Sequence, residues 1–214
     1  MTSKELDKWV AYFNNYPAWV ICVLEIVIFS FVYSFSNHFV RLGLYPQPPY
    51  TYIDKAIPFL DWTILIYNSV FLLMPIGLVW IVRSDRGQSM VSCFILLSIH
   101  LTFFLFYPVE LSRSQLQPSD TWRWGFEIMW GLDEPRNCFP SLHVALSFLV
   151  AFFVLQRRKV WGSVFLVWAV LISLSTLTTE QHFFVDVLGG MITSTVTFWL
   201  VFHKGPLEVF DEDV

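Results

Sequence analysis

The chain has 214 residues, of which 56% are hydrophobic and only 14% charged. A soluble globular domain carries about 25% charged residues, so this composition points to a membrane. The net charge of -4, with no basic stripe for a phosphate backbone to follow, argues against nucleic acid as a partner.

The first stretch, Met1 to Tyr16, is polar and mixed in charge and suits a short interfacial helix. No short apolar region with a small-residue cleavage site follows it, so the next run reads as an uncleaved anchor. Six apolar runs then succeed one another: Pro17–Ser36, Trp62–Val82, Met90–Pro108, Ser141–Gln156, Val160–Thr178 and His182–His203. Each is roughly long enough to cross a ~30 Å hydrocarbon core as a helix. The fourth is the shortest and is expected to extend at one end. Lipid cannot satisfy open backbone groups, so the spans should be helical. Little chain lies between them. The expected fold is all-α: one polytopic membrane domain over residues 1–214, built as a six-transmembrane-helix bundle.

Between the first two runs, Pro46-Gln47-Pro48-Pro49-Tyr50 and Pro58 exclude a continuous helix. The longest connection runs from Val109 to Pro140. Its tryptophan-rich segment, Trp122 to Trp130, suits the headgroup level, as an interfacial anchor or as a wall of a substrate site. Cys22, Cys93 and Cys138 are too few and too scattered for a disulfide framework or a zinc site. Cys138 adjoins the motif described below, and its role is open.

Basic residues give an orientation. Lys4, Lys8, Arg83, Arg86, Arg157, Arg158, Lys159 and Lys204 fall on one side of a six-helix layout. Arg41, Lys55, Arg113, Arg123 and Arg136 fall on the other. The positive-inside rule then puts both termini in the cytosol. Polar residues within the spans are suspects for function. Glu25 and His100 lie at similar depth in this layout and are expected to pair structurally. Gly189, Gly190 and Ser194 are expected to serve close helix packing.

Two stretches carry candidate chemistry. The first is Asn137-Cys138-Phe139-Pro140-Ser141-Leu142-His143; the second runs from Ser175-Thr176 to His182-Phe183-Phe184-Val185-Asp186. Each sets a histidine where a loop becomes a long apolar run, and the layout brings both to the outer face. Pro140-Ser141 suits a helix start, whose free N–H groups and dipole make an anion site beside His143. Asp186 follows His182 by one helical turn and can hold its imidazole in one tautomer. These groups are equipment for phosphoryl transfer: His182 to attack phosphorus, Asp186 to orient and charge it, His143 to protonate the departing oxygen.

Phe139-Pro140-Ser141-Leu142-His143 and Ser175-Thr176…His182-Phe183-Phe184-Val185-Asp186 resemble the second and third signature motifs of the type 2 phosphatidic acid phosphatase (PAP2) superfamily. The resemblance covers about Phe104 to His203. It implies a six-helix membrane fold, a covalent phosphohistidine at His182, Asp186 behind it, His143 as general acid, and no metal or other cofactor. The chain also departs from the pattern. The usual Lys-x6-Arg-Pro first motif is degenerate at Tyr107 to Ser114, which offers Arg113 but no lysine. Thr176 stands where the phosphatases carry arginine, and Pro-Ser-Leu-His replaces the more usual Pro-Ser-Gly-His. These features look closer to the inositol phosphorylceramide synthase branch, whose members pass a phosphorylated head group between lipids.

A phosphate monoester is near dianionic at neutral pH, whereas a phosphodiester carries one charge. Loss of cationic ligands hurts the monoester more, which favours diester chemistry and an alcohol acceptor. Arg113 and Arg136 are the preferred phosphate ligands, with Ser141 and Thr176 as further phosphate or substrate contacts. The expected partners are a phospholipid or lipid phosphate and a small alcohol. A lipid phosphate phosphatase using water is the rival enzyme, and a non-catalytic lipid carrier the rival of another class.

Overall fold

The computed structural model describes residues 3–39, 50–113, 116–132 and 135–202. Arg41, the cluster Pro46-Gln47-Pro48-Pro49, Ser114, His203 and Lys204 lie outside them. Every regular element among the described residues is a helix. In chain order these are α1 (Ser3–Asn14), α2 (Ala18–Phe39), α3 (Tyr52–Ala56), α4 (Ile64–Asn68), α5 (Val70–Ser84) and α6 (Arg86–Phe106). They continue as α7 (Arg123–Leu132), α8 (Leu142–Arg157), α9 (Lys159–Thr178) and α10 (Phe184–Phe202).

The amphipathic start behaves as its pattern requires. α1 turns Leu6, Val10 and Phe13 inward and leaves Trp9 and Tyr12 exposed. It lies against α6, where Gly87 lets the backbones meet: a Cβ there would stand 2.1 Å from the Val10 carbonyl oxygen.

Five helical stretches are long and apolar enough to cross a membrane: Ala18–Asn37, Asp61–Ile81, Arg86–Phe106, Lys159–Thr178 and Phe184–Phe202. Their outer faces stay apolar, with Val23, Val27 and Phe31 on α2, Val167 and Leu174 on α9, and Ile192 and Trp199 on α10 all exposed. Such faces are stable against hydrocarbon and costly in water.

The expected sixth span, α8, has only 16 residues, about 24 Å of helix. It does not extend as anticipated. Ser141 caps its start by accepting from the Val144 N–H, and an extended Arg158 ends it and begins α9 at once. α8 is central rather than lipid-facing. It packs on α5, α9 and α10, and Val144, Ala145, Ser147, Val150 and Ala151 are all buried. Close approach is again set by small residues. A Cβ on Gly77 of α5 would meet Val150 at 2.1 Å, and one on Gly162 of α9 would meet Leu155 at 2.1 Å.

The anticipated Glu25–His100 pair does not form. Glu25 accepts a hydrogen bond from Ser89 Oγ at 2.7 Å. Ser89 lies in the first turn of α6, whereas His100 stands eleven residues further on, about 16 Å along the helix. His100 is fully buried and its Nδ1 faces the Leu96 carbonyl at 2.9 Å. Counting residues through loops placed the two at one depth; the meeting of α2 with the start of α6 does not. At the end of the bundle away from both motifs, Arg157 donates through Nε (2.9 Å) and Nη2 to buried Asp85. This ties the end of α8 to the α5–α6 turn.

Candidate active site

The start of α8, the end of α9 and the start of α10 come together at one end of the bundle. Their meeting depends on two glycines. A Cβ on Gly190 would lie 2.5 Å from the Ser141 carbonyl oxygen and 2.9 Å from Val144 Cβ; one on Gly189 would lie 2.9 Å from Pro140 Cβ. The packing role expected of these glycines is therefore specific: they seat α10 on the first motif. A backbone hydrogen bond from Ser141 N to Asp186 O, 3.0 Å, joins the two motifs directly.

The turn between α9 and α10 presents His182. Glu180 takes the left-handed conformation (φ 52°). Glu180 N donates to Leu177 O, and Gln181 N and His182 N donate to Thr176 O. This is the hydrogen-bond pattern of a Schellman ending, and it fixes where the chain leaves the helix. Phe183 N then donates to Asp186 Oδ2 at 2.8 Å.

His182 is buried, and its Nδ1 lies 3.0 Å from the Cys138 carbonyl oxygen and 3.4 Å from Asp186 Oδ2. A carbonyl oxygen can only accept, so the hydrogen resides on Nδ1 and the neutral ring keeps a lone pair on Nε2. Asp186 is fully buried, and its Oδ1 has no hydrogen-bond partner among the described residues. An ionised carboxylate so placed gains most when a positive charge develops on the adjoining imidazole.

His143 lies in the first turn of α8. Its ring centroid is 5.9 Å from that of His182, close enough for one phosphoryl group to touch both. Behind it stands Tyr67 of α4, fully buried, with its hydroxyl 3.4 Å from His143 Nδ1 and the ring centroids 4.7 Å apart. α7 closes this side. Phe126 and Met129 pack with Ile64 and Tyr67, while Trp124 and Ile128 remain exposed. The tryptophan-rich segment thus packs behind Tyr67 with one face and offers apolar side chains outward with the other.

The sequence profile of the PAP2 superfamily matches residues 40–200. The chain belongs to the PAP2 superfamily. Neither the curated proteins nor the solved structures gave a match. Membership points to phosphoesterase chemistry of the phosphatase kind, and together with the apolar helices it makes this a multi-pass integral membrane protein.

This PAP2 chain holds its remaining candidates unevenly. Two backbone hydrogen bonds, Leu111 N to Pro135 O (2.9 Å) and Cys138 N to Val109 O (3.2 Å), bind the degenerate first motif to the strand of chain before α8. Arg113 is thereby brought near the site. Its Nη2 donates to Met129 Sδ at 3.5 Å, and its charge is felt at both Tyr67 and His143. Burial lowers its pKa, opposed by Tyr67 and Cys138, yet a guanidinium remains charged at any physiological pH. Arg136 is half-buried in the same stretch before α8. Thr176 donates its hydroxyl to Ser173 O at 2.7 Å and meets His182 through its carbonyl.

Three contributors were not legible beforehand. Tyr67 sits in an apolar run with no local mark of function. The Cys138 carbonyl is a backbone group, invisible to residue type. Asp54 Oδ1 accepts from Phe184 N at 2.7 Å and so caps α10 from outside, while its Oδ2 accepts from Thr51 N and Oγ1. Only a Thr-x-x-Asp spacing hints at a helix start there. No group of three or more His, Cys, Asp or Glu side chains among the described residues is arranged to hold a metal ion.

Proposed function

We propose that the protein is a lipid phosphoesterase acting through a phosphohistidine on His182, and that it passes the phospho-group to an alcohol acceptor. The observation that carries this reading is the Nδ1 hydrogen bond of His182 to the Cys138 carbonyl, which leaves Nε2 as a nucleophile. Nε2 attacks phosphorus, the bond from phosphorus to the departing lipid oxygen breaks, and His143 gives that oxygen its proton. The acceptor hydroxyl then returns a proton to His143 as its oxygen displaces His182 from phosphorus. Asp186 stabilises the imidazolium character of His182 in each transition state.

The phosphate is proposed to rest at the start of α8, against Arg113, Arg136, Ser141 and Thr176. Two carboxylates, Asp54 and Asp186, already occupy the first N–H groups of α10 and its approach. This favours α8 for the anion, where the Leu142 and His143 N–H groups lack intrahelical partners. The lysine and the arginine of the phosphatase motifs are both missing here, and a set of cations reduced by two suits the single charge of a phosphodiester. The same count supports a kinship with the inositol phosphorylceramide synthase branch. The whole chain is proposed to act as one domain, with both termini cytosolic and the site on the outer side. Support comes from Arg157, Arg158 and Lys159 at the end away from the histidines, since the rule counts basic residues rather than net charge.

The test is product analysis of the protein in lipid bilayers. Phospholipids and lipid phosphates are supplied with and without inositol or another small alcohol, and phosphorus is followed by mass spectrometry. A phosphoester of the added alcohol, formed only when that alcohol is present and matched by release of the lipid alcohol, is the expected result, and it should vanish in His182→Ala. Inorganic phosphate without an acceptor would make water the acceptor. Binding without turnover, and no phosphate on His182, would leave a lipid carrier.

A further inference from the structure

Below His143 lies a cavity of about 470 Å³ between α2, α5 and α8. On α8 it is lined by every inward position from His143 through Leu146, Leu149 and Val150 to Phe153. Ten residues of helix make that path about 15 Å long. Half of a ~30 Å hydrocarbon core is the same length, so the cavity is about as deep as one leaflet. Its walls are almost wholly apolar, and at its lip Ile26 and Phe71 are exposed on the lipid-facing side of α2 and α5. Its far end is different. There the buried carboxyl of Glu25 and the hydroxyl of Ser89 face the space, hydrogen-bonded to each other at 2.7 Å.

We infer that this cavity takes one hydrocarbon tail of the substrate lipid, and that the Glu25–Ser89 pair is a polar floor limiting the length of tail accepted. The inference rests on the proposed chemistry at His143 for where the head group lies. The occupant is a tail because the space is apolar, is entered from the lipid phase and begins at the general acid. A tail shorter than the cavity buries every methylene against Leu146, Leu149, Val150 and Phe153. A longer one must press its end on Glu25, displacing water or Ser89 from a carboxyl, which apolar groups cannot replace as partners. The cost falls on long tails alone, so the pair selects by length rather than by affinity in general.

The experiment uses the full chain in nanodiscs and a series of single-chain lysophosphatidic acids of graded tail length, each carrying a terminal diazirine. Photolabelling is mapped by mass spectrometry in the His182→Ala protein, so that binding is read without turnover. Labels are expected on α8 and α5 below His143, reaching Phe153 or Ile81 with the longest tails. Competition between long and short tails is then compared in wild type, Glu25→Leu and Leu146→Trp. Glu25→Leu should raise the long-to-short ratio at least tenfold, and Leu146→Trp should lower it by blocking the cavity one turn below His143. Labels confined to other faces, or a ratio unmoved in both variants, would overturn the inference. Cavity labelling and length selection in a protein with no turnover would uphold the tail site while sinking the chemistry proposed above it.

Discussion

The imidazole of His182 is anchored by the main chain of Cys138, Nδ1 to carbonyl oxygen, at 3.0 Å. The thiol has a separate partner, pointing to the Pro135 carbonyl oxygen at 3.7 Å. Because the contact uses the carbonyl, the side chain is dispensable for it. Cys138→Ala is expected to keep turnover within about threefold of wild type, under 1 kcal/mol at the barrier. Steady-state rates before and after treatment with a thiol reagent check this; a loss comparable to that of His182→Ala would show that the thiol itself takes part.

Asp186 offers its charge and its geometry separately. Asp186→Asn can keep an acceptor for the Phe183 N–H while losing the negative charge beside His182. Turnover should fall about 10²- to 10⁴-fold with substrate binding nearly unchanged, as expected of a group acting on the transition state. The split between kcat and KM reads this directly. A change confined to KM would place Asp186 in binding instead.

Tyr67 and His143 form a unit whose contribution depends on the leaving group. When His143 is the imidazolium that a general acid must be, its Nδ1–H donates to the Tyr67 hydroxyl and its Nε2–H is left for the departing oxygen. His143→Ala should cost about 10²- to 10⁴-fold with a lipid ester, and far less with a nitrophenyl ester that departs without a proton. Tyr67→Phe removes one hydroxyl and keeps the buried ring. A loss of roughly tenfold is expected for the lipid ester, about the net worth of one hydrogen bond, and little for the nitrophenyl ester. Equal losses on both substrates would mean that Tyr67 only supports the fold.

Gly190 is the point of closest approach between the two motifs. Gly190→Ala must push its new methyl into the Ser141 carbonyl and Val144. Destabilisation of about 1–3 kcal/mol is expected from overpacking, with activity lost in the fraction that still folds because the histidines separate. Gly131→Ala is the control, since nothing lies within 4 Å of its added Cβ. Melting curves and rates for the pair give the comparison; a Gly190→Ala protein as stable and active as Gly131→Ala would mean the helices can part at no cost.

The sequence by itself determined the membrane class, the approximate limits of the spans and the two histidine motifs. Spans are legible because lipid forces apolar composition and helical backbone on the same residues, so the signal is local. His143, His182 and Asp186 are legible because each sits in a short pattern fixed by helix starts and turn spacing. What lay beyond reach depends on how helices rotate and slide against one another. Tyr67 reaches His143 because α4 packs on α9, the neighbour of α8, Asp54 reaches from α3 to the first N–H of α10, and Glu25 meets Ser89 rather than His100. A helix of apolar residues gives no sign of which side chain will face which neighbour, since Leu, Phe and Tyr bury almost equally well. The length of α8 is the same lesson in reverse. Its 16 residues are few for a helix bathed in lipid, and only the packing shows that it lies among α5, α9 and α10 instead.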